Sequence, residues 1–362
     1  MLKYFKTLFL FFLLTACEEN FDVHLSGKSL PVVYGVYKLN FREVPFHGYY
    51  LENPNYISLT RSFLGGQNAY ITAKITDSLY FNNANVKIEY CFQSHVVGTT
   101  TLEKTTDFQK EPGLFSSSGN IIYQTTKHYV PRYFDTLRLI IDTGHEGGVY
   151  TSETQYVSSP RITFPVFHPE RQIKFGFYLP DPFYLEWIDY GGYYETQMII
   201  NYFEVKNREI TVKKLVWERN RLSNIEEEYF FCDWFLYVNN YTYQSRYIEP
   251  SRRKLFYPGD EVAFFLGSQI SIDPNVSARK VKSIDFIVTA TSKVLYDYMK
   301  FGINIQDNGN IYSNINNGIG IFATTCTDSI NGIIIDRETV DSFANGRFTK
   351  HLNFVTYDIG LE

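Results

Sequence analysis

Cysteine is scarce in this chain, with four in 362 residues, too few for a disulfide-stapled scaffold. Positive charge is also short. Lys and Arg number 34 against 39 Asp and Glu, a formal charge of −5, which argues against a broadly basic nucleic-acid binder. No stretch is apolar for long enough to cross a bilayer as an ordinary helix. Catalytic motifs are missing too: no Gly-x-Ser-x-Gly elbow, no His-Glu-x-x-His, no P-loop, no cysteine pair at zinc spacing. The seven histidines (24, 47, 95, 128, 145, 168, 351) are scattered, without a metal-type pair. The expectation is a non-enzymatic chain with no catalytic residue, metal or cofactor. No period of 20–50 residues recurs, which excludes solenoids and propellers.

Aromatics, by contrast, are abundant at 18%, from 31 Phe, 30 Tyr and 3 Trp. Such residues favour strands and contact surfaces. Hydrophobic residues make up 44% and the length suits two ordinary domains. The first sixteen residues read as a leader: Lys3 and Lys6 precede the apolar run Thr7 to Leu14. It ends Leu14-Thr15-Ala16-Cys17, which resembles the bacterial lipobox, and the resemblance implies that Cys17 becomes the acylated first residue. Cleavage removes two lysines and no acids, leaving a charge of about −7. Three acyl chains, as such lipoproteins carry, hold a protein firmly where one binds marginally. Glu18 and Glu19 resemble the surface-export signal of Bacteroidota lipoproteins, and residues 17–30 form the tether. The expected address is the outer membrane, lipid-anchored and facing the exterior.

Strand patterns dominate from Pro31 onward. In Ala84–Phe92, Val86, Ile88, Tyr90 and Phe92 share one face while Lys87 and Glu89 share the other. Similar runs occur at 31–37, 56–60, 120–125, 136–142 and 148–157, separated by turn clusters such as Leu64-Gly-Gly-Gln-Asn. This spacing predicts an antiparallel sandwich over 31–164. Pro160, Pro165 and Pro169 place a boundary near 165. Longer strands are expected over 165–362: Lys174–Tyr178, Tyr193–Val205, Glu227–Val238, Glu261–Leu266 and Lys282–Thr291. Lys293–Lys300 is the best helix candidate, with Leu295, Tyr298 and Met299 at i, i+3, i+4. After lipidation three cysteines remain, and an oxidising compartment permits one disulfide, Cys232 with Cys326; the alternative is three buried thiols.

One segment stands out for contact chemistry. Tyr184, Trp187, Tyr190, Tyr193 and Tyr194 surround Glu186 and Asp189, bracketed by Asp181-Pro182 and Gly191-Gly192. The brackets predict an exposed loop. Three readings fit it: a sugar-stacking platform, a protein contact, or core aromatics. Arg252-Arg253-Lys254 with Arg246 forms a basic cluster suited to lipid headgroups, an acidic partner or a solvated strand end. His145-Glu146 and Asp307-Asn-Gly-Asn read as turns rather than ligand sites. Asp77-Ser78-Leu, Asp135-Thr136-Leu and Asp328-Ser329-Ile resemble the Bacteroidota O-glycosylation site, where average composition would give about one match.

Taken in order, several short motifs resemble one family. They are the lipobox, the acidic tether, Leu30-Pro-Val-Val-Tyr-Gly-Val-Tyr, Ile57-Ser-Leu-Thr-Arg-Ser, Asn85-Val-Lys-Ile, Gly113-Leu-Phe, Tyr257-Pro-Gly-Asp-Glu-Val, Ile284-Asp-Phe, Tyr296-Asp-Tyr-Met and Ser313-Asn-Ile-Asn-Asn-Gly-Ile-Gly-Ile-Phe. The order resembles Bacteroidota lipoproteins of domain-of-unknown-function family 4249, with Ser313–Phe322 the most specific run. The resemblance implies an all-β chain: an immunoglobulin-like β-sandwich, then a larger antiparallel β domain with one short helix. It implies an outer-membrane address beside an outer-membrane β-barrel, often a TonB-dependent transporter, and supplies no catalytic residues. The aromatic stretch 175–203 departs from the family pattern. The functional expectation is a non-catalytic accessory or binding subunit of such a barrel. The alternatives are a stand-alone surface glycan-binding lipoprotein and a component of outer-membrane export or assembly.

Overall fold

The computed structural model describes residues 30–62, 79–106, 120–177, 182–219, 226–302 and 312–359, apart from interruptions of one to three residues, together with 71, 74 and 75. For 41–49, 226–251 and 301–302 it describes backbone only. The chain is all-β, as the alternation predicts. The strands that matter below are β1 (Pro31–Lys38), β2 (Tyr56–Arg61), β3 (Asn85–Phe92), β4 (Thr136–Asp142), β5 (Val149–Gln155), β6 (Arg161–Phe164) and β7 (Phe183–Asp189). They continue with β8 (Tyr193–Lys206), β9 (Glu209–Arg219), β10 (Glu226–Glu228), β11 (Ser251–Tyr257), β12 (Val276–Thr291) and β13 (Ile319–Ile335). The helices are α1 (Gly259–Gln269), α2 (Lys293–Asp297) and α3 (Arg337–Asn345).

One sheet organises the molecule. Its order is β9-β8-β12-β13-β1-β2, continued by Ile122–Gln124 and Glu103–Thr105, with Gln172–Ile173 added alongside β13. β1 pairs antiparallel with β2 and parallel with β13, in register from Val32 opposite Ile319 to Lys38 opposite Thr325. A second sheet runs β5-β4-β3-(His95–Thr101). The two sheets enclose the first core, where Val33, Ile57 and Leu59 meet Val86, Ile88, Leu137 and Leu139. The sequence predicts only antiparallel neighbours here, but the first sheet also holds β13, which pairs parallel with β1. The first core also takes in Ile315, Phe322 and Cys326 from the far end of the chain. The second core begins at Val157 and gathers Trp187, Met198, Leu266, Phe286 and Phe343. The sheet runs through both cores.

Two polar devices hold the sandwich. Across the first core the Tyr37 and Tyr90 hydroxyls meet at 2.7 Å, and Tyr90 reaches His128 Nε2 at 2.8 Å. His128 Nδ1 lies 2.6 Å from the Thr126 carbonyl, which can only accept. The ring proton is thus on Nδ1, Nε2 accepts from Tyr90, and Tyr90 accepts from Tyr37. Burial pushes both phenol pKa values upward.

The second device is Ser313–Phe322, which clamps β5 to β13. Asn314 Nδ2 donates to the Glu153 carbonyl at 3.1 Å and the Phe322 carbonyl at 2.8 Å, and its Oδ1 accepts from Phe322 N at 2.9 Å. Asn316 donates from its backbone N to Thr151 O at 2.8 Å. Gly320 sits at φ +110°, and a Cβ there would fall 1.9 Å from the Val33 carbonyl oxygen. Only glycine lets β1 approach β13 at this point.

Some strand expectations are corrected. Glu261–Leu266 lies inside helix α1, not a strand. Pro258 precedes it, Asp260 and Glu261 occupy its first turn, and Val262, Ala263 and Leu266 face the core. The expected helix at 293–300 is present as α2 followed by a π-turn over Tyr298–Gly302. α3 is a further helix, its N-terminus capped by Asp336 Oδ1 accepting from Thr339 N at 2.9 Å. No strand forms over the described residues of Lys174–Tyr178, the strand there being Gln172–Ile173 just before it, and the expected run Glu227–Val238 is covered by β10 and the strand Phe231–Val238. Cys326 carries a free buried thiol that donates to the Leu39 carbonyl at 3.0 Å, so the proposed pairing with Cys232 is not formed. It packs in the first core against β1's exit, where burial raises its pKa.

Gly320→Ala is expected to destabilise the chain by about 3 kcal/mol or more, and Asn314→Ala by about 1–3 kcal/mol. Urea unfolding midpoints check both; a Gly320→Ala midpoint equal to wild type would contradict the close approach.

Candidate functional site

The aromatic segment around 184–194 is not an exposed loop. Residues 183–189 are β7, held between β6 and β11. Phe183, Leu185, Trp187 and Asp189 alternate onto the interior face, and Trp187 is fully buried. Tyr194 is buried beside it, with ring centroids 5.6 Å apart. Tyr184 is half-buried and stacks on Phe164 at 4.7 Å. Tyr193 stacks on Tyr296 at 4.1 Å, away from the others. Tyr190 lies outside the described residues. Trp187 and Tyr194 are therefore core side chains, not surface anchors, and the five do not form one platform.

The acidic residues of this segment explain the basic cluster. Asp189, buried, accepts from Arg253 Nε at 2.5 Å and from the Tyr194 hydroxyl at 2.5 Å. The Arg253 guanidinium also sits 5.3 Å from the Tyr194 ring centroid. Glu186, also buried, accepts from Thr163 Oγ1 at 2.6 Å and pairs with Arg252 at 3.3 Å and Lys254 at 3.8 Å. On the other edge of β11 the register sets Glu226, Glu227 and Glu228 opposite Lys254, Arg253 and Arg252. Three cations thus run between two acidic strands of the same chain. The lipid-headgroup reading of Arg252–Lys254 is corrected: their partners are internal. Arg246 lies opposite Asp233 in the hairpin Phe231–Val238 and Tyr241–Ile248.

Three clefts lie at the helical end of the second half. The first, about 460 Å³, is lined by Phe164, Lys174, Phe177, Tyr184 and Glu338 among others. The second, about 640 Å³, shares Phe177 and Glu338 with it and adds Asp260, Asp341, Asn345 and Arg347. The third, about 420 Å³, shares Asp260 and Arg347 with the second and adds Trp217, Phe264, Phe265 and Phe348. Shared walls make them one groove, aromatic at both ends and carboxylate-rich between. Of the sequence candidates only Tyr184 reaches it. The rest was hidden because α1 was read as a strand: in a helix, Val262 and Leu266 point one way and Phe264 the other.

Other candidates fall elsewhere. Thr136 is half-buried on β4 and borders a polar cleft with Arg138 and Glu153. Ser329 is exposed within β13, and Ser78 lies outside the described residues. Cys17, Glu18, Glu19, His145-Glu146 and Asp307 lie outside them as well. Among the described residues no group of three His, Cys, Asp or Glu could hold a metal ion, and no helix is long and apolar enough to cross a membrane. No family model matches the chain, and no curated protein is significantly similar to it.

Trp187→Ala should lower stability by about 3–5 kcal/mol. Arg253→Met, which removes a cation that donates to the buried Asp189 carboxylate, should cost about 3–5 kcal/mol. Chemical denaturation reads both; a Trp187→Ala chain as stable as wild type would contradict the interior assignment.

Proposed function

We propose that the chain is an outer-membrane lipoprotein, acylated on Cys17 and facing the exterior, that serves as a non-catalytic binding subunit of an outer-membrane β-barrel. A TonB-dependent transporter is the favoured partner class. The observation that carries this reading is the order at the N-terminus: Leu14-Thr-Ala-Cys17, then residues 18–30, then β1. The thirteen residues from 18 to 30 span at most roughly 45 Å when extended. The body is then confined to a thin shell above the membrane. Such confinement raises the effective concentration of a weak interface with any membrane partner.

The tether also ends on a fixed point. Leu30 N donates to Ser62 Oγ at 2.9 Å, and Ser62 N donates to the Leu30 carbonyl at 2.8 Å. From there the chain enters the middle of the large sheet, so a pull on the lipid is borne by β1 and its two neighbours. A rigid body on a short leash suits an accessory that must present one surface to a barrel. The resemblance to family 4249 supports the same assignment.

Two measurements test it. Cys17→Ala should move the protein from the membrane to the soluble fraction. Native protein tagged at its C-terminus and extracted gently should retain a stoichiometric β-barrel. Recovery of a barrel-assembly or secretion component would assign it to export machinery instead, and recovery of no barrel would overturn the accessory role.

A further inference from the structure

The third cleft carries chemistry of its own. α1 buries Val262, Ala263 and Leu266, which leaves Phe264 on the opposite side, 59% exposed. Phe348 meets it edge-to-face, with centroids 5.4 Å apart at 83°. An edge-to-face pair covers one face of one ring, so Phe264 keeps ring surface open to solvent. Beside it Trp217 and Phe265 stack at 4.8 Å and 8°. Arg347 lies 4.4 Å from the Phe348 centroid. The rim is charged yet held in place: Arg347 pairs with Asp260 at 3.6 Å and Arg219 with Glu261 at 3.4 Å. Both carboxylate side chains remain 54% exposed, so their oxygens still face solvent.

We propose that this cleft binds a neutral polysaccharide, whose chain continues along the groove toward Glu338. A pyranose ring has a face of C–H groups that stacks on an open aromatic ring and a belt of hydroxyls that both donate and accept. Phe264 supplies the first contact; Asp260, Glu261 and Arg347 supply acceptors and donors for the second. A wholly apolar ligand would strip water from these ionised groups without replacing their hydrogen bonds. An anionic polymer would meet Asp260, Glu261, Glu338 and Asp341, against Lys174 and Arg347 as the only lining cations of the described groove. Like charge across such a surface disfavours it. The adjoining clefts favour a polymer over a single sugar. The site is independent of any barrel partner.

Native gel electrophoresis of the mature chain tests the proposal, in gels containing laminarin, xyloglucan or galactomannan, and in a gel containing alginate. Retardation is expected in at least one neutral gel and not in alginate. Phe264→Ala should weaken that retardation roughly tenfold while lowering Tm by no more than about a few degrees, because over half of the side chain is already in solvent and it gives up chiefly its contact with Phe348. Arg347→Ala should weaken it in the same gel, and Tyr193→Ala should not. Absence of retardation in all three neutral gels, retardation by alginate alone, or wild-type behaviour of both Phe264→Ala and Arg347→Ala would each overturn the assignment.

Discussion

The parallel pairing of β1 with β13 is the constraint on which the rest depends. The first strand among the described residues pairs on one side with β2 and on the other with a strand nearly three hundred residues later. Parallel neighbours need a long crossover, and here the crossover is almost the whole protein. The arrangement makes one sheet serve two cores: the segment of β13 near Phe322 seals the first, while Ile333 and Ile335 belong to the second. Contacts this distant in sequence are costly in loop-closure entropy and imply slow folding.

The same pairing explains what Ser313–Phe322 is for. The run supplies a left-handed glycine where backbone meets backbone and an asparagine that satisfies three main-chain groups at once. The run is thus a structural joint that ties β13 to β5 and β1. β1 enters at this joint, so the sandwich and the groove-bearing half share one sheet. The groove lies well along the sheet: Trp217 is on β9, four strand spacings from β1, or about 19 Å. The outer edge of β9 has no strand beside it among the described residues. Lys213 and Lys214 stand mid-strand there, charges of the kind that discourage edge-to-edge association.

Much of the fold was legible because alternation is a local signal. Val86, Ile88 and Tyr90 announce β3 without help from any other residue. The failures share a cause in long-range context. Phe183-Tyr-Leu-Glu-Trp-Ile-Asp189 alternates too, but its turn-like brackets and buried acids suggested a surface; the cations that neutralise Glu186 and Asp189 lie more than sixty residues away. Pro258-Gly-Asp-Glu was a readable helix start overlooked in favour of apolar content. With that helix went Phe264, and with Phe264 the open aromatic surface of the groove.

Differential scanning calorimetry of the full chain tests the central claim most directly, that the shared sheet makes both cores one cooperative unit. The account predicts a single transition whose calorimetric and van't Hoff enthalpies agree. Two resolved transitions, one for each core, would show that β1 and β13 do not bind the halves together.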